Sequence, residues 1–210
     1  MTAPILVIGT ANRKKGRELA ELFSPLGLEI KTLADFSAAI AVDETGTTFA
    51  ENAALKATRQ AAHLGHWILA DDSGLAVDAL GGAPGVASAR FSGPSANDAA
   101  NNRLLLEKLG ASPLEKRAAR FICRMALADV SGTVRAESEG VCCGRILFEP
   151  RGSQGFGYDP LFEVAEYHRT FAELGIAVKS CLSHRARAAH GLIPSLTALI
   201  DSGEMSSQSA

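Results

Sequence analysis

Residues 69–85 read LADDSGLAVDALGGAPG and continue an apolar run that begins at Trp67. Residues 67–70 have the length and composition of a buried strand, and two adjacent carboxylates, Asp71 and Asp72, follow them directly. Because side chains alternate between the two faces of a strand, these carboxylates point in different directions. We therefore expect one of them to act directly in a site and the other to support it.

The composition indicates a globular protein of 210 residues, 47% of them hydrophobic, with a formal net charge of −2. This charge gives no reason to expect a nucleic-acid or membrane-surface partner. The N-terminal MTAPILVIGT lacks the features of a signal peptide, and no segment approaches the roughly 18 apolar residues of a membrane span. We expect a cytoplasmic protein. The four cysteines form no CxxC pair and predict neither a zinc site nor a disulfide framework.

Short strand-like runs alternate with longer helical runs along the chain. Hydrophobic periodicity predicts strands at 5–8, 29–32, 67–70, 121–127 and 133–146, and helices at 16–26, 48–63, 97–109 and 183–200. The segment TFAE at 48–51 has the pattern of a capping box. The alternation predicts an α/β fold around a mixed sheet. We expect residues 1–200 to form a single domain and residues 201–210 a disordered tail.

The segment GTANRKKGRE, residues 9–18, joins a predicted strand to a predicted helix. Free backbone N–H groups at a helix start attract phosphate, Thr10 and Asn12 add neutral hydrogen bonds, and Lys15 adds positive charge. A capped helix with solvated basic residues explains the segment equally well. Neither a Walker A loop nor a GxGxxG sequence is present, which argues against the usual nucleotide-binding folds.

A second polar segment, VDETGTTFAENAALKA at 42–57, carries Asp43 and Glu44 before a helix. Asn52 and Lys56 are four residues apart and therefore share a helix face. Alone, the segment is typical of a solvated acidic loop. Together with the acidic pair at 71–72, it predicts an oxygen-ligand site for Mg²⁺, which takes one or two carboxylates, waters and substrate phosphates.

Two further segments, RGSQGFGYDPLF at 151–162 and KSCLSHRARA at 179–188, contain candidate binding groups. Phe156 and Tyr158 offer flat faces for a base, and Asp159 accepts a hydrogen bond. Ser183 is a natural cap for a helix that opens with the donors His184-Arg185. An ordinary glycine-rich loop and an ordinary capped surface helix are the alternative explanations.

Six motifs occur in one order along the chain: residues 10–15 (TANRKK), 44–53 (ETGTTFAENA), 70–75 (ADDSGL), 81–85 (GGAPG), 155–160 (GFGYDP) and 183–185 (SHR). In these motifs the sequence resembles the inosine triphosphate pyrophosphatase family, also called dITP/XTP pyrophosphatases, from residue 5 to residue 199. The resemblance implies Mg²⁺-dependent hydrolysis of inosine and xanthosine triphosphates to monophosphate and pyrophosphate by a homodimer. It also implies an elongated α/β fold with the nucleotide in a cleft between two lobes.

The resemblance also assigns roles to single residues. It makes Asp72 the catalytic acceptor and a metal ligand, Ser73 a substrate contact, and Glu44 a second metal ligand, with Asp43 as the alternative. The residues that it places at the phosphates are Thr10, Ala11, Asn12, Arg13, Lys14 and Lys15, with Lys56 nearby. Those that it places around base and sugar are Phe156, Gly157, Tyr158, Asp159, Lys179, His184 and Arg185. One departure is that Ala177-Val178 stands where an acidic pair often precedes the lysine.

The implied reaction is attack of water on the α-phosphorus, with Asp72 positioning or deprotonating the water. Hypoxanthine and xanthine present an oxygen acceptor at position 6, where adenine presents an amino donor. Donors from His184 and Arg185 would form hydrogen bonds with the 6-oxygen but would face the amino group of adenine donor to donor.

Three alternative functions remain open at this point. A non-catalytic nucleotide-binding or sensor protein keeps the basic loop and the His184-Arg185 pair but has little need for Asp72 beside a second acidic loop. A nucleic-acid-binding module would use the basic residues at 13–17. The negative net charge and the lack of a recognised binding motif argue against this function. A pyrophosphatase for modified pyrimidine nucleotides is the third.

Overall fold

The computed structural model describes residues 3–206. Seven strands lie in this part of the chain: β1 (Ile5–Ile8), β2 (Glu29–Thr32), β3 (Trp67–Val77), β4 (Ala118–Ala128), β5 (Val134–Ile146), β6 (Phe162–Val164) and β7 (Arg169–Thr170). The α-helices of the same residues are α1 (Arg13–Phe23), α2 (Phe49–Leu64), α3 (Asp98–Leu109), α4 (Phe171–Leu182) and α5 (His184–Asp201). None of these helices is long and apolar enough to cross a membrane.

The strands form one sheet in the order β2-β1-β3-β4-β5-β6-β7. Strand β1 pairs in parallel with β2, Leu6 opposite Ile30, and also in parallel with β3, Leu6 opposite Trp67. Strand β6 pairs antiparallel with both β5 and β7. The expectation of an α/β fold around a mixed sheet is therefore confirmed.

The chain divides into two compact units. The first contains the described residues up to 72, residues 123–140, and the described residues from 187 onward. The second contains residues 73–122 and 141–186. Strands β3, β4 and β5 and helix α5 each contribute residues to both units.

Each unit has an apolar core of its own. In the first, Leu6 and Ile8 of β1 pack with Leu19 and Phe23 of α1 and with residues of α5 such as Leu192. The core of the second unit combines aliphatic side chains such as Leu75 and Leu105 with four buried aromatic ones, Phe121, Tyr158, Phe162 and Phe171. The buried positions of β1 and α1 follow the strand and helix periods of the sequence.

Strand β3 is longer than its apolar run indicates. The strand was expected to end at residue 70, but it continues to Val77, so Asp71 and Asp72 lie inside it rather than at its end. All of its side chains except Ser73 are buried. The expected end was wrong because buried polar side chains with protein partners interrupt the apolar pattern without ending the strand.

The first residues of the helices are set by side-chain caps, and one of these differs from the residue that the sequence predicts. Helix α1 begins at Arg13 because Asn12 Oδ1 accepts hydrogen bonds from the backbone N–H groups of Lys14 at 3.0 Å and Lys15 at 3.3 Å. Helix α2 begins after Thr48 with the expected capping box to Glu51. Helix α4 and the short strands β6 and β7 have no counterpart among the expected elements.

The C-terminal segment is ordered further than expected. Helix α5 ends at Asp201, and a short 3-10 helix follows at Glu204–Ser206. Met205 is fully buried in the core of the first unit. The expectation of disorder after residue 200 is therefore wrong for residues 201–205, and residues 207–210 lie outside the described part of the chain.

Candidate active site

Asp72 is held by two side chains of α2 in the first unit. Asn52 Nδ2 donates a hydrogen bond to Asp72 Oδ2 at 3.2 Å, and Lys56 Nζ lies 3.3 Å from Asp72 Oδ1. Only 6% of Asp72 is exposed, and Asn52 is fully buried. The prediction that Asn52 and Lys56 share a helix face is confirmed. Both side chains on that face contact the carboxylate of Asp72, the candidate catalytic group.

The acidic loop before α2 contributes Glu44 to the same cluster. Lys56 Nζ donates to Glu44 Oε1 at 2.7 Å, whereas the side chain of Asp43 is exposed. The capping box anchors the loop, because Glu51 Oε2 accepts from the backbone N–H of Thr47 at 2.6 Å. Of the two candidate metal ligands in this loop, Glu44 is the one that lies beside the amine that contacts Asp72.

Asp71 has a different partner from Asp72. It is fully buried, and its Oδ2 lies 3.2 Å from Lys15 Nζ. The thiol of Cys123 on β4 lies 4.0 Å from the same oxygen. Asp71 therefore joins β3 to α1 through an ion pair.

Three carboxylates, Glu44, Asp71 and Asp72, face two ammonium groups, those of Lys15 and Lys56. Burial raises the pKa of Asp72, and the attraction of Lys56 and Lys15 offsets this only in part. Burial alone would lower the pKa of Lys56, but Asp71, Asp72 and Glu44 outweigh it, so the pKa is raised. With all five groups ionised, the cluster carries net negative charge, which attracts a cation.

The donor set suits Mg²⁺, which is bound in proteins through one or two carboxylates and keeps waters and phosphate oxygens as its other ligands. Glu44 and Asp72 supply two carboxylates within hydrogen-bonding distance of one ammonium. Among residues 3–206 there is no group of three or more His, Cys, Asp or Glu side chains that could enclose a metal ion. The two carboxylates of Glu44 and Asp72 fit a cation that takes water and substrate oxygens as its other ligands.

The predicted phosphate loop lies between β1 and α1. Thr10 Oγ1 accepts from the backbone N–H of Asn12 at 3.2 Å, and Asn12 itself caps α1. The loop begins close to β3, since a Cβ at Gly9 would lie 2.7 Å from Ile68 Cγ2. The three residues with exposed side chains between Thr10 and Lys15, apart from the cap, are Ala11, Arg13 and Lys14. Both explanations of this segment thus have support: a capped helix start, and a lysine directed to the carboxylate cluster.

In the second unit, the loop at 155–159 is organised by Asp159. Its Oδ2 accepts from Lys179 Nζ at 2.7 Å and from the backbone N–H of Phe156 at 2.9 Å. Lys179 Nζ also lies 4.3 Å from the centroid of the Phe156 ring, a cation–π distance. Gly155 has φ +78° and no room for a side chain, because a Cβ would lie 2.2 Å from Asp159 Oδ2. The expected residues Phe156, Asp159 and Lys179 are therefore in contact.

Two side chains of α3 form hydrogen bonds with the backbone of Gly157, which belongs to this loop. The backbone N–H of Gly157 donates to Asp98 Oδ2 at 2.9 Å, and Gly157 O accepts from Asn102 Nδ2 at 3.0 Å. Sequence reasoning missed Asp98 and Asn102. The only signal was that α3 opens with polar residues, which a solvated helix face explains as well.

Tyr158, which was expected to offer a flat face for a base, has its ring turned into the core instead. The ring packs in the core of the second unit, only 4% of the residue is exposed, and its hydroxyl donates to Ser88 O at 2.9 Å. Burial raises the pKa of this hydroxyl far above its ordinary value. Tyr158 thus anchors the loop, and the aromatic side chain of the loop that is partly exposed is Phe156.

The start of α5 is capped as expected, since Ser183 Oγ accepts from the backbone N–H of Ala186 at 3.1 Å. The first two helical residues, His184 and Arg185, are 4% and 2% exposed. Arg185 Nη2 donates to Ser73 Oγ at 2.9 Å, and the His184 ring stacks on Phe121 with centroids 4.7 Å apart. Ser73 and Arg185, predicted separately as substrate contacts, are therefore direct partners.

Several known proteins are similar to this chain over most of its length. The model of the Ham1 family matches residues 6–195. A dITP/XTP pyrophosphatase of Rhodopirellula baltica is 50% identical over 201 residues, covering 96% of this chain and 97% of the relative. One from Exiguobacterium sp. is 54% identical over 186 residues, 87% of this chain and 92% of the relative. The solved structure of a HAM1 protein from Coxiella burnetii has a TM-score of 0.84 and 40% identity, covering 93% of this chain and 99% of that one.

Proposed function

The chain belongs to the Ham1 family, and on this premise we propose that it hydrolyses non-standard purine nucleoside triphosphates, dITP or ITP and XTP or dXTP. The products are the nucleoside monophosphate and pyrophosphate, so the reaction removes these nucleotides from the pool. Relatives at about half identity over nearly their whole length carry the name dITP/XTP pyrophosphatase. The observation that carries the proposal is the cluster in which Lys56 contacts both Glu44 and Asp72.

Asp72 is the catalytic residue of this proposal. Its carboxylate accepts a hydrogen bond from the attacking water and positions or deprotonates it for attack on the α-phosphorus, with pyrophosphate as the leaving group. The raised pKa of Asp72 supports this role, because a carboxylate that holds a proton more strongly than usual is a better base when ionised. Its surroundings are nearly closed to solvent, which strengthens each charge interaction.

The ammonium groups of Lys56 and Lys15 offset negative charge on the transferring and leaving phosphate oxygens. Residues 10–15 are proposed to bind phosphate at the start of α1, where Arg13 and Lys14 add exposed positive charge. Lys15 is supported in this role by its position at the carboxylate cluster. These residues supply the charge that a triphosphate requires.

We propose Mg²⁺ as the cofactor, held by Glu44 and Asp72. When bound, the cation offsets charge on the phosphate oxygens. Asp43 is the weaker candidate because its side chain is exposed, whereas Glu44 contacts Lys56. The negative balance of the carboxylate cluster supports the choice of a divalent cation.

The residues proposed to bind base and sugar belong to the second unit. Phe156 offers a partly exposed ring for stacking, and Lys179 and Asp159 fix the loop that carries it. Donors of His184 and Arg185 are proposed to recognise the 6-oxygen of hypoxanthine or xanthine, and Ser73 to contact the substrate. The hydrogen bond from Arg185 to Ser73 supports a common role for these two side chains.

We further propose a homodimeric state and a cytoplasmic location, the first from the family resemblance and the second from the sequence. The competing functions are a nucleotide sensor without turnover and a pyrophosphatase for modified pyrimidines. A sensor has no use for a buried carboxylate with a raised pKa beside two amines, and this favours the enzyme.

Pyrophosphate release with Mg²⁺ from dITP, XTP, dATP, dGTP and dTTP, measured side by side, tests the proposal. We expect kcat/KM for dITP and XTP to exceed the values for the standard nucleotides, and Asp72→Asn to abolish the signal. Binding of dITP without release of pyrophosphate would support the sensor, and a preference for dTTP or its analogues would support the pyrimidine enzyme.

A further inference from the structure

The carboxamide of Asn52 lies between two backbone segments that carry candidate active groups. Its Oδ1 accepts a hydrogen bond from the backbone N–H of Gly46 at 2.8 Å, and its Nδ2 donates to Asp72 Oδ2 at 3.2 Å. We propose that Asn52 is a positioning residue that fixes the Asp72 carboxylate for the pyrophosphatase reaction. The inference rests on the function proposed above.

The hydrogen bonds determine which way the Asn52 amide points. A backbone N–H only donates, so the atom that faces Gly46 is the carbonyl oxygen. An ionised carboxylate only accepts, so the atom that faces Asp72 is the amide nitrogen. A reversed amide would oppose donor to donor and acceptor to acceptor, and Asn52 is fully buried, so bulk solvent does not reach it to relieve either conflict. The side chain therefore has one satisfactory orientation.

The contact with Gly46 also fixes the acidic loop. A Cβ on Gly46 would lie 2.7 Å from Asn52 Oδ1 and 2.7 Å from Glu51 Cβ, so the loop backbone touches the first turn of α2 directly. Glu44 precedes this contact by two residues. One buried side chain thus holds the loop of Glu44 and the carboxylate of Asp72 at the same time.

The two oxygens of Asp72 are held by partners of different kinds. Oδ2 faces the short, buried amide of Asn52, whereas Oδ1 faces the ammonium of Lys56, which lies at the end of a long flexible stem and also bonds Glu44. Asn52 is therefore the rigid partner of the pair. It fixes the plane of the carboxylate, whose orientation towards the attacking water small rotations would spoil.

Two variants of Asn52 and one control test the proposal. Asn52→Ala and Asn52→Leu both remove the acceptor for the N–H of Gly46 and the donor to Asp72, and they differ in the volume of the side chain that remains. The control is Gln60→Leu, because Gln60 is also a buried amide on α2, two turns later, and its side chain bonds to the backbone of Ile40. All three proteins are compared by thermal unfolding and by steady-state kinetics with dITP and Mg²⁺.

We expect kcat to fall about tenfold to a hundredfold in both Asn52 variants, the effect of losing one hydrogen bond to a charged group, with little change in KM. Gln60→Leu should lower the unfolding temperature while kcat stays near the wild-type value. A purely structural role of Asn52 predicts the same kinetics for all three variants. That result, or a wild-type kcat in a folded Asn52→Leu protein, would overturn the proposal.

Crystal structures of Asn52→Leu and Gln60→Leu give a readout that needs no activity. The plane of the Asp72 carboxylate should rotate in the first and keep its orientation in the second, and an unrotated carboxylate in Asn52→Leu would contradict the positioning role. If wild-type protein releases pyrophosphate from no nucleotide, the proposed function fails, and the carboxylate orientation still decides whether Asn52 positions Asp72.

Discussion

Lys15 Nζ lies 3.2 Å from the fully buried carboxylate of Asp71. The neighbouring carboxylate, Asp72, instead meets Asn52 and Lys56 of α2. The two adjacent acids of β3 thus serve different elements, as the alternation of a strand requires. Asp71 joins β3 to α1, and Asp72 is the member of the pair that faces the second acidic loop through Lys56.

Asp72→Asn should abolish turnover and leave the protein folded. The amide keeps the shape of the side chain and removes the charge needed for metal and water. It also changes the cluster from three carboxylates and two ammonium groups to two carboxylates and two ammonium groups, which removes its net negative charge. Pyrophosphate release from dITP at saturating Mg²⁺ measures the effect, and near-normal kcat would show that the catalytic assignment is wrong.

The same variant makes a prediction about stability and pH. Because burial raises the pKa of Asp72 in the folded protein, its contribution to stability is fully present below the unfolded pKa, near 3.8. It is lost as pH rises through the higher folded pKa. An amide does not titrate, so Asp72→Asn does not lose stability in this way. As the pH rises from the unfolded pKa to the folded pKa of Asp72, the variant should become more stable relative to the wild-type protein. Thermal unfolding at a series of pH values without divalent cation checks this. A difference that does not change with pH would contradict it.

Lys15→Ala should weaken dITP binding and lower the free energy of unfolding. It leaves the buried carboxylate of Asp71 without its ammonium, which typically costs about 1–3 kcal/mol. Arg17→Ala is the matched control, because Arg17 is an exposed basic residue of the same helix that is not assigned to the phosphates, and we expect its free energy of unfolding to change by no more than about 0.5 kcal/mol. Denaturant unfolding and titration with dITP measure both variants. Equal effects of the two substitutions would show that the phosphate loop is misplaced.

Asn102→Asp should weaken dITP binding by loosening the loop at 155–159. The substitution replaces the donor to Gly157 O with an acceptor. A neutral hydrogen bond is worth about 0.5–1.5 kcal/mol, so KM for dITP should rise about threefold to tenfold with a smaller change in kcat. Arg103→Ala, at an exposed position of the same helix, serves as the control. A fall in kcat at constant KM would place the role of Asn102 in the chemical step.

The sequence predicted those strands and helices that have a clear hydrophobic period or a recognisable capping motif. Strands β1 and β2 lie at the expected residues, and the capping box and the shared face of Asn52 and Lys56 on α2 were both readable from spacing. The continuation of β3 was not, because its polar residues are satisfied by partners from distant segments. Gly157 meets α3 across more than fifty residues, and no local period encodes such a contact. The burial of Tyr158 was missed for the same reason.

Arg185→Ala tests base selection. If Arg185 donates to the 6-oxygen, the variant should lose kcat/KM for dITP by about tenfold to a hundredfold more than for dATP, because dATP never formed that hydrogen bond and a charge-assisted bond is worth roughly 1.5–3 kcal/mol. Arg185 is buried and bonded to Ser73, so Ser73→Ala is measured beside it to separate loss of that contact from loss of the guanidinium. Ser73→Ala should slow both substrates alike and keep the ratio of dITP to dATP. Should Arg185→Ala also slow both substrates by the same factor, Arg185 acts on the phosphates or on the fold, and base selection has to be sought around Phe156 and Asp159.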